Sequence, residues 1–165
     1  MADITNSKLT DPDTGILKKD ACIVLVRTDW NAAVTEQLER GCIAVLEKYG
    51  VKKTIVLTVP GAVEIPFAVK SYWEHCGKKE RPDAFIALGC VIRGDTPHFE
   101  YVCQAVTNGV LQLNLSLPVP TIFGVLTVNN EEQAMERIGG KHGHKGEEAA
   151  LTALKMTGLL ETFKN

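Results

Sequence analysis

Residues 93–98 (RGDTPH) combine groups that can bind an anion with one that can carry a proton. Thr96 is a candidate helix N-cap, and Pro97 suits the first helical position because its φ is fixed and it lacks an N–H. This places His98 in a first helical turn, where free N–H groups and the helix dipole favour an anion. The same dipole disfavours a protonated imidazole, so we expect His98 to be neutral near pH 7 and able to shuttle a proton. The segment predicts a phosphate-binding loop beside a proton shuttle; alternatively, Arg93 and His98 only cap and solvate a helix start.

Other polar or aromatic residues follow predicted strands at their carboxyl ends, where open α/β sheets bind ligands. Trp30 and Asn31 follow the first strand, and Glu64 follows the second. Trp30 suits either a stacking surface for a planar ligand or a lid over the core. Glu64 either accepts hydrogen bonds from the hydroxyl groups of a ligand or provides a favourable negative charge at a helix start. Arg137 suits either a phosphate clamp or a cation near a helix C-terminus.

The elements that must position these residues alternate between strands and helices. Four apolar runs predict strands buried in a parallel sheet, at residues 21–27, 53–59, 84–92 and 121–127. Helical spacing and capping signals predict helices over residues 32–49, from Pro66 onward, over 97–116, after Asn130 and over 147–163. With no two-residue hairpin signal, this order predicts a flavodoxin-like α/β fold with a central four-stranded parallel sheet and helices on both faces.

Length and composition restrict the class of protein. Residues 1–20 are polar and predict a flexible N-terminal arm, and residues 21–165 predict one domain. The formal net charge of −2 argues against nucleic acid and anionic membranes as partners. No apolar run reaches the roughly 20 residues of a membrane span, and the N-terminus lacks the apolar core of a secretory signal. Five cysteines without a CxxC pair predict reduced thiols in a cytoplasmic protein.

Residues 141–146 (KHGHKG) form a basic segment with two histidines. His142 and His144 have no third metal ligand at suitable spacing, so we expect a solvated basic turn and no metal site. The glycine-rich loops GxGxxG and GxxxxGK[ST] are absent from the sequence. The usual dinucleotide and nucleotide loops are therefore not supported.

Five longer motifs, in order, closely resemble those of the 6,7-dimethyl-8-ribityllumazine synthase family. They are VPGAVEIP at 59–66, LGCVIRGDTPHFEYV at 88–102, IFGVLT at 122–127, EQAMER at 132–137 and GGKHGHKGEEAA at 139–150. The resemblance covers roughly residue 22 to the C-terminus. It implies condensation of 5-amino-6-(D-ribitylamino)uracil with 3,4-dihydroxy-2-butanone 4-phosphate, the penultimate step of riboflavin biosynthesis, without metal or organic cofactor.

The resemblance also implies a role for each site residue. His98 is the proton donor, and Trp30 stacks on the pyrimidine, where most family members have phenylalanine. Asp95 replaces a small residue or glutamate of many members, so we expect its backbone N–H to bind the phosphate. Other implied pyrimidine and ribityl contacts are Asn31, Ala62, Val63, Glu64, Cys90, Val91, Ile92 and, from the adjacent subunit, Phe123. Other implied phosphate contacts are Thr96, Arg137 of the adjacent subunit and Lys145.

Family members are pentamers, which either remain free or assemble by twelves into a sixty-subunit icosahedral shell. Family members that stop at the ring tend to carry an insertion in the turn that corresponds to residues 139–146, so the short turn of this chain implies the shell, with the free pentamer as the alternative. Riboflavin synthase is a candidate partner.

Two other classes of protein remain as alternatives. One is a non-catalytic cage that binds lumazine or riboflavin. The other is a flavodoxin-like electron carrier, although the usual hydroxyl-rich loop after the first strand is absent.

Overall fold

The computed structural model describes residues 8–9 and 21–164, so most of the predicted N-terminal arm lies outside the described residues. The main strands are β1 (Cys22–Thr28), β2 (Lys53–Val59), β3 (Ala84–Ile92) and β4 (Thr121–Val128). The helices are α1 (Ala32–Lys48), α2 (Ile65–His75), α3 (His98–Ser116), α4 (Glu131–Met135) and α5 (Lys145–Thr162). Short strands β5 (Ile138–Gly140) and β6 (Gly143–His144) lie between α4 and α5.

The four main strands form one parallel sheet in the order β2-β1-β3-β4. This confirms the flavodoxin-like prediction. Their apolar residues alternate between the two faces, because successive side chains of a strand point in opposite directions. Leu25 and Ile86, which are register partners, pack on the face covered by α1 and α5. Val26 and Ala87 pack on the opposite face, beneath α2 and α3.

The order of the strands brings three carboxyl ends together. Because β1 pairs with both β2 and β3, the turns that follow these strands lie side by side. The backbone N–H groups of Asp29 and Trp30 donate to the carbonyl oxygens of Val59 and Pro60 at 2.9 and 3.1 Å. The predicted convergence of Trp30, Glu64 and His98 at one edge of the sheet therefore has a direct structural basis.

The prediction that Thr96 caps α3 is wrong. The helix begins at His98, Pro97 occupies the N-cap position, and no side chain caps it. Pro97 has φ −62° but ψ −1°, so regular helical hydrogen bonding starts one residue later than its ring geometry suggests. The N–H of Glu100 donates to the carbonyl oxygen of Pro97 at 3.0 Å, which makes the first turn tighter than an α-turn.

The predicted solvated basic turn at residues 141–146 holds only at Lys141 and His142, because residues 138–144 form a β-hairpin and Lys145 is buried at the start of α5. Ile138 pairs with His144, and Gly139 and Gly143 have φ of +114° and +75°, which glycine adopts readily. The hairpin packs against α1, where a Cβ on Gly41 would lie 2.1 Å from the His144 ring. The helix after Asn130 ends at Met135, and α5 begins at Lys145, two residues earlier than predicted.

Candidate active site

A cleft of about 470 Å³ lies at the carboxyl ends of β2, β1 and β3. We call it the Trp30–His98 cleft. It contains the predicted proton donor and every predicted pyrimidine and ribityl residue except Phe123. Its lining residues are Thr28, Trp30, Asn31, residues 61–64, residues 90–92, His98 and Val102.

The turn after β1 presents Trp30 to this cleft. The carbonyl oxygen of Trp30 accepts a hydrogen bond from the Thr28 hydroxyl at 3.2 Å, and its N–H donates to the adjacent turn. The residue remains 72% exposed, so its ring does not serve as a lid over the core. Asn31 has left-handed backbone angles of 58° and 44°, and its amide donates to the carbonyl oxygen of Cys90 at 2.8 Å. This bond joins the aromatic turn to the end of β3.

Glu64 lies in the adjacent turn, which follows β2. The segment Ala62–Glu64 is a short 3₁₀ helix that leads into α2. A Cβ on Gly61 would lie 3.0 Å from the Glu64 carboxylate and 3.5 Å from the Trp30 ring. Glycine at this position therefore allows an exposed carboxylate to lie beside the indole, where it can accept hydrogen bonds from the hydroxyls of a ligand.

The thiol in the cleft is poorly suited to act as a nucleophile. Cys90 is buried at the end of β3, and this burial raises its pKa to about 11. The reactive form of cysteine is the thiolate, which is scarce at neutral pH when the pKa is raised in this way. Cys90 contributes its buried side chain to the wall of the cleft, and its carbonyl oxygen accepts the hydrogen bond from Asn31.

His98 reaches the cleft from the first position of α3 and is exposed to solvent. Asp95 and Thr96 are exposed in the loop before it and line neither this cleft nor the one described next. A Cβ on Gly94 would meet nothing within 4 Å, so the loop is open on that side. The predicted phosphate loop therefore lies outside the lining of both clefts and is open to solvent.

A second cleft, of about 610 Å³, runs along the outer edge of β4. It contains Phe123, Arg137 and Lys145, and we call it the Phe123–Lys145 cleft. None of its lining residues also lines the Trp30–His98 cleft. Phe123 is 41% exposed. Within this chain, the predicted site residues other than Asp95 and Thr96 are thus divided between two separate clefts.

The two cations of the second cleft have different surroundings. Lys145 is only 4% exposed, and its Nζ lies 2.7 and 2.8 Å from the two carboxylate oxygens of Glu148. Arg137 is half-buried, and its Nη1 donates to the carbonyl oxygen of Gln133 at 2.7 Å. Sequence reasoning missed Glu148, although its spacing of three residues from Lys145 was the available signal. The signal was lost because the helix was expected to begin after Lys145.

The structure gives no support for a metal centre in residues 8–9 and 21–164, where no three metal-ligating side chains of the His, Cys, Asp or Glu types converge. His142 Nε2 lies 3.5 Å from a carboxylate oxygen of Glu136, which also pairs with Lys141 at 3.2 Å. Over the same residues, no helix is long and apolar enough to cross a membrane.

Comparison with known proteins agrees with this arrangement. A family model described as 6,7-dimethyl-8-ribityllumazine synthase matches residues 20–161. The chain is 50% identical over 143 residues to the 6,7-dimethyl-8-ribityllumazine synthase of Porphyromonas gingivalis, covering 86% of both chains. It is 48% identical to that of Parabacteroides distasonis, covering 81% of this chain and 82% of the relative. For Bacteroides fragilis the identity is 47%, covering 80% and 91%. The chain therefore belongs to the 6,7-dimethyl-8-ribityllumazine synthase family.

Proposed function

We propose that this protein condenses 5-amino-6-(D-ribitylamino)uracil with 3,4-dihydroxy-2-butanone 4-phosphate. The products are 6,7-dimethyl-8-ribityllumazine, inorganic phosphate and water, and the reaction is the penultimate step of riboflavin biosynthesis. The observation that carries the proposal is the Trp30–His98 cleft. It gathers a flat aromatic surface, a carboxylate for hydroxyl groups and an imidazole at one edge of the sheet. The similarity to 6,7-dimethyl-8-ribityllumazine synthases supports the same reaction.

The reaction needs positioning and proton transfer more than a strong nucleophile. The 5-amino group of the pyrimidine attacks the ketone and loses water, which gives an imine. Phosphate then leaves by elimination, and the ribitylamino nitrogen closes the second ring with loss of another water. His98 moves protons during these steps, while Trp30 and the end of β3 hold the pyrimidine in place. Glu64 accepts hydrogen bonds from the ribityl hydroxyls.

The complete site is formed by two subunits in this proposal. The Phe123–Lys145 cleft of one subunit faces the Trp30–His98 cleft of its neighbour, so that Phe123 covers the pyrimidine and Arg137 binds the phosphate. Asp95 and Thr96 bind that phosphate through the loop. The separation of the two clefts within one chain supports this arrangement, because neither holds both a proton shuttle and a cation.

The active assembly is a pentamer in the same proposal, and twelve pentamers form the sixty-subunit shell. The compact hairpin at residues 138–144 supports the shell, because it leaves little protruding chain between α4 and α5. The protein works in the cytoplasm, consistent with its five free cysteines, and riboflavin synthase is its candidate partner. Light scattering tests the assembly: a mass near five chains would reject the shell, and a monomer would reject the shared site.

The decisive experiment measures lumazine formation from the two substrates by absorbance. Turnover supports the proposed reaction, while product binding without turnover would identify a non-catalytic binding protein. Mixing His98→Ala with Arg137→Ala subunits during refolding then tests the shared site. Some interfaces would combine an intact His98 with an intact Arg137, so activity should return. No recovery in well-mixed rings would place the whole site within one chain.

A further inference from the structure

Arg93 precedes the exposed loop of residues 94–96 and makes contacts on several sides. Its Nε donates to the Oδ1 of Asn129 at 3.0 Å, and its Nη1 pairs with the carboxylate of Glu100. The guanidinium carbon lies 4.2 Å from the centroid of the Phe99 ring. The backbone N–H of Arg93 donates to the carbonyl oxygen of Val128 at 2.9 Å. The guanidinium is thus held by a carboxylate, an amide and an aromatic face.

These contacts close the loop at its base. Arg93 lies before residues 94–98, and its partners Phe99 and Glu100 lie directly after them, in the first turn of α3. The ion pair lowers the pKa of Glu100, mainly through the hydrogen bond from the guanidinium. The Glu100 carboxylate therefore pairs with Arg93 and offsets part of its positive charge. A guanidinium already engaged with a carboxylate, an amide and an aromatic ring has fewer donors left for a phosphate.

The contact with Asn129 extends the same unit toward Arg137. The backbone N–H of Asn129 donates to the side-chain oxygen of Gln133 at 2.9 Å. The N–H of Gln133 donates to the Asn130 side chain at 2.9 Å, and this bond caps α4. The carbonyl oxygen of Gln133 accepts a hydrogen bond from Arg137 at 2.7 Å. Hydrogen bonds therefore connect Arg93, through Asn129 and then Gln133 of α4, to the side chain of Arg137.

We propose that Arg93 is a positioning residue that fixes the loop of residues 94–96 and His98 against the start of α4, and that it does not bind the substrate phosphate itself. The proposal rests on the proposed function for the identity of the phosphate substrate. Because Arg93 acts through its partners, its role differs from that of Arg137, which we place on the phosphate. Removal of the Arg93 side chain and removal of its partner Asn129 should therefore lower the activity in the same way.

A double-mutant cycle separates positioning from direct phosphate binding. Arg93→Ala should lower kcat/KM by about tenfold, with a fall in kcat as well as a rise in KM for the phosphate substrate. Asn129→Ala should lower it by about threefold, and the double variant should be no worse than Arg93→Ala alone. If Arg93 bound phosphate directly, Asn129→Ala would be silent and only KM for the phosphate substrate would change. That result would overturn the proposal.

The conservative variant gives a second criterion. Arg93→Lys keeps the positive charge but loses the planar stack on Phe99 and the fixed Nε bond to Asn129. Positioning predicts that lysine does not restore kcat, whereas restoration by lysine would indicate a simple charge effect and contradict the proposal. Arg81→Ala is the matched control. Arg81 also stacks on an aromatic ring, 4.6 Å from Trp73, but it precedes β3 at the opposite end of the sheet.

Amide hydrogen exchange of the substrate-free protein tests the proposal without turnover. Arg93→Ala should speed exchange both in residues 94–100 and in residues 129–137, because the hydrogen-bonded unit is broken. Unchanged exchange in these segments would reject the positioning role even if lumazine forms. Conversely, faster exchange in a protein that makes no lumazine would retain the positioning role and reject the proposed function.

Discussion

The two clefts of this chain differ in their charge and in the way their residues are held. The lining of the Trp30–His98 cleft includes an imidazole and a carboxylate but neither lysine nor arginine. The Phe123–Lys145 cleft includes one of each cation and a half-exposed aromatic ring. A reaction that releases phosphate and moves protons needs both sets of groups. This difference supports the proposal that two subunits combine their clefts to form one site.

The supporting structure of each half explains which groups are available to a ligand. In the first cleft, backbone bonds and the Asn31 amide fix the turn, and the Trp30 ring remains exposed. In the second, Glu148 neutralises Lys145, while Arg137 donates to the carbonyl oxygen of Gln133 and lies 4.0 Å from a carboxylate oxygen of Glu136, which also pairs with Lys141. The available positive charge of the second cleft therefore comes mainly from Arg137.

The largest effect should come from removing the imidazole of the first cleft. His98→Ala should lower kcat by roughly 10²-fold, the low end for a group that transfers protons, because substrate positioning survives. Steady-state kinetics and the pH–rate profile measure this. The control is His75→Ala, which removes an exposed histidine at the end of α2 whose Nδ1–H donates to the Ser71 carbonyl oxygen, and it should have full activity. Full activity and an unchanged pH–rate profile in His98→Ala would remove the proton shuttle from the first cleft.

The next effect should come from the cation of the second cleft. Arg137→Ala should raise KM for the butanone phosphate by about tenfold or more, since a hydrogen bond to a charged group contributes about 1.5–3 kcal/mol. Kinetics with each substrate varied in turn measure the change. Arg40→Ala, which removes an exposed arginine 3.7 Å from Glu36 on α1, is the control. An increase confined to KM for the pyrimidine would contradict the assignment of phosphate to the second cleft.

A smaller effect is expected from the aromatic surface of the first cleft. Trp30→Ala should weaken binding of flat heterocycles through lost stacking, worth about 0.5–1.5 kcal/mol beyond burial. Riboflavin titration should quench tryptophan fluorescence in the unsubstituted protein, and most of that quench should disappear in the variant. The purified protein should also look yellow if it retains flavin. Trp73→Phe is the internal control, because Trp73 packs against the core beneath α2. Loss of the quench in Trp73→Phe instead would move the heterocycle away from Trp30.

The smallest effect should come from the neutralised pair. The double variant Lys145→Met with Glu148→Gln removes one positive and one negative charge together, so KM for the phosphate substrate should change by less than about threefold. Replacing both partners avoids leaving one charge alone in the cleft. An increase as large as that of Arg137→Ala would show that Lys145 contacts the phosphate and that Glu148 releases it when substrate binds.

The parallel sheet and the gathering of Trp30, Glu64 and His98 follow from local signals. The apolar runs, the turns after them and the Asn130 cap depend on neighbours in the chain. Local signals did not predict the hairpin at residues 138–144. Its strands are too short for an alternating pattern, and its stability comes from packing on α1. The start of α3 was misplaced by one residue because the ψ of Pro97 is not fixed by its ring.

The sequence by itself determined the order of strands and helices and, through its motifs, which side chains form the candidate site. Only the tertiary structure decided that Lys145 is buried against Glu148 and that Arg93 is held by Phe99, Glu100 and Asn129. The reason is physical. Periodicity and capping act over a few residues, whereas the partner of a charged side chain depends on which distant elements lie beside it. The pairing of β3 with β4 brings Arg93 to Asn129 across 36 positions of sequence.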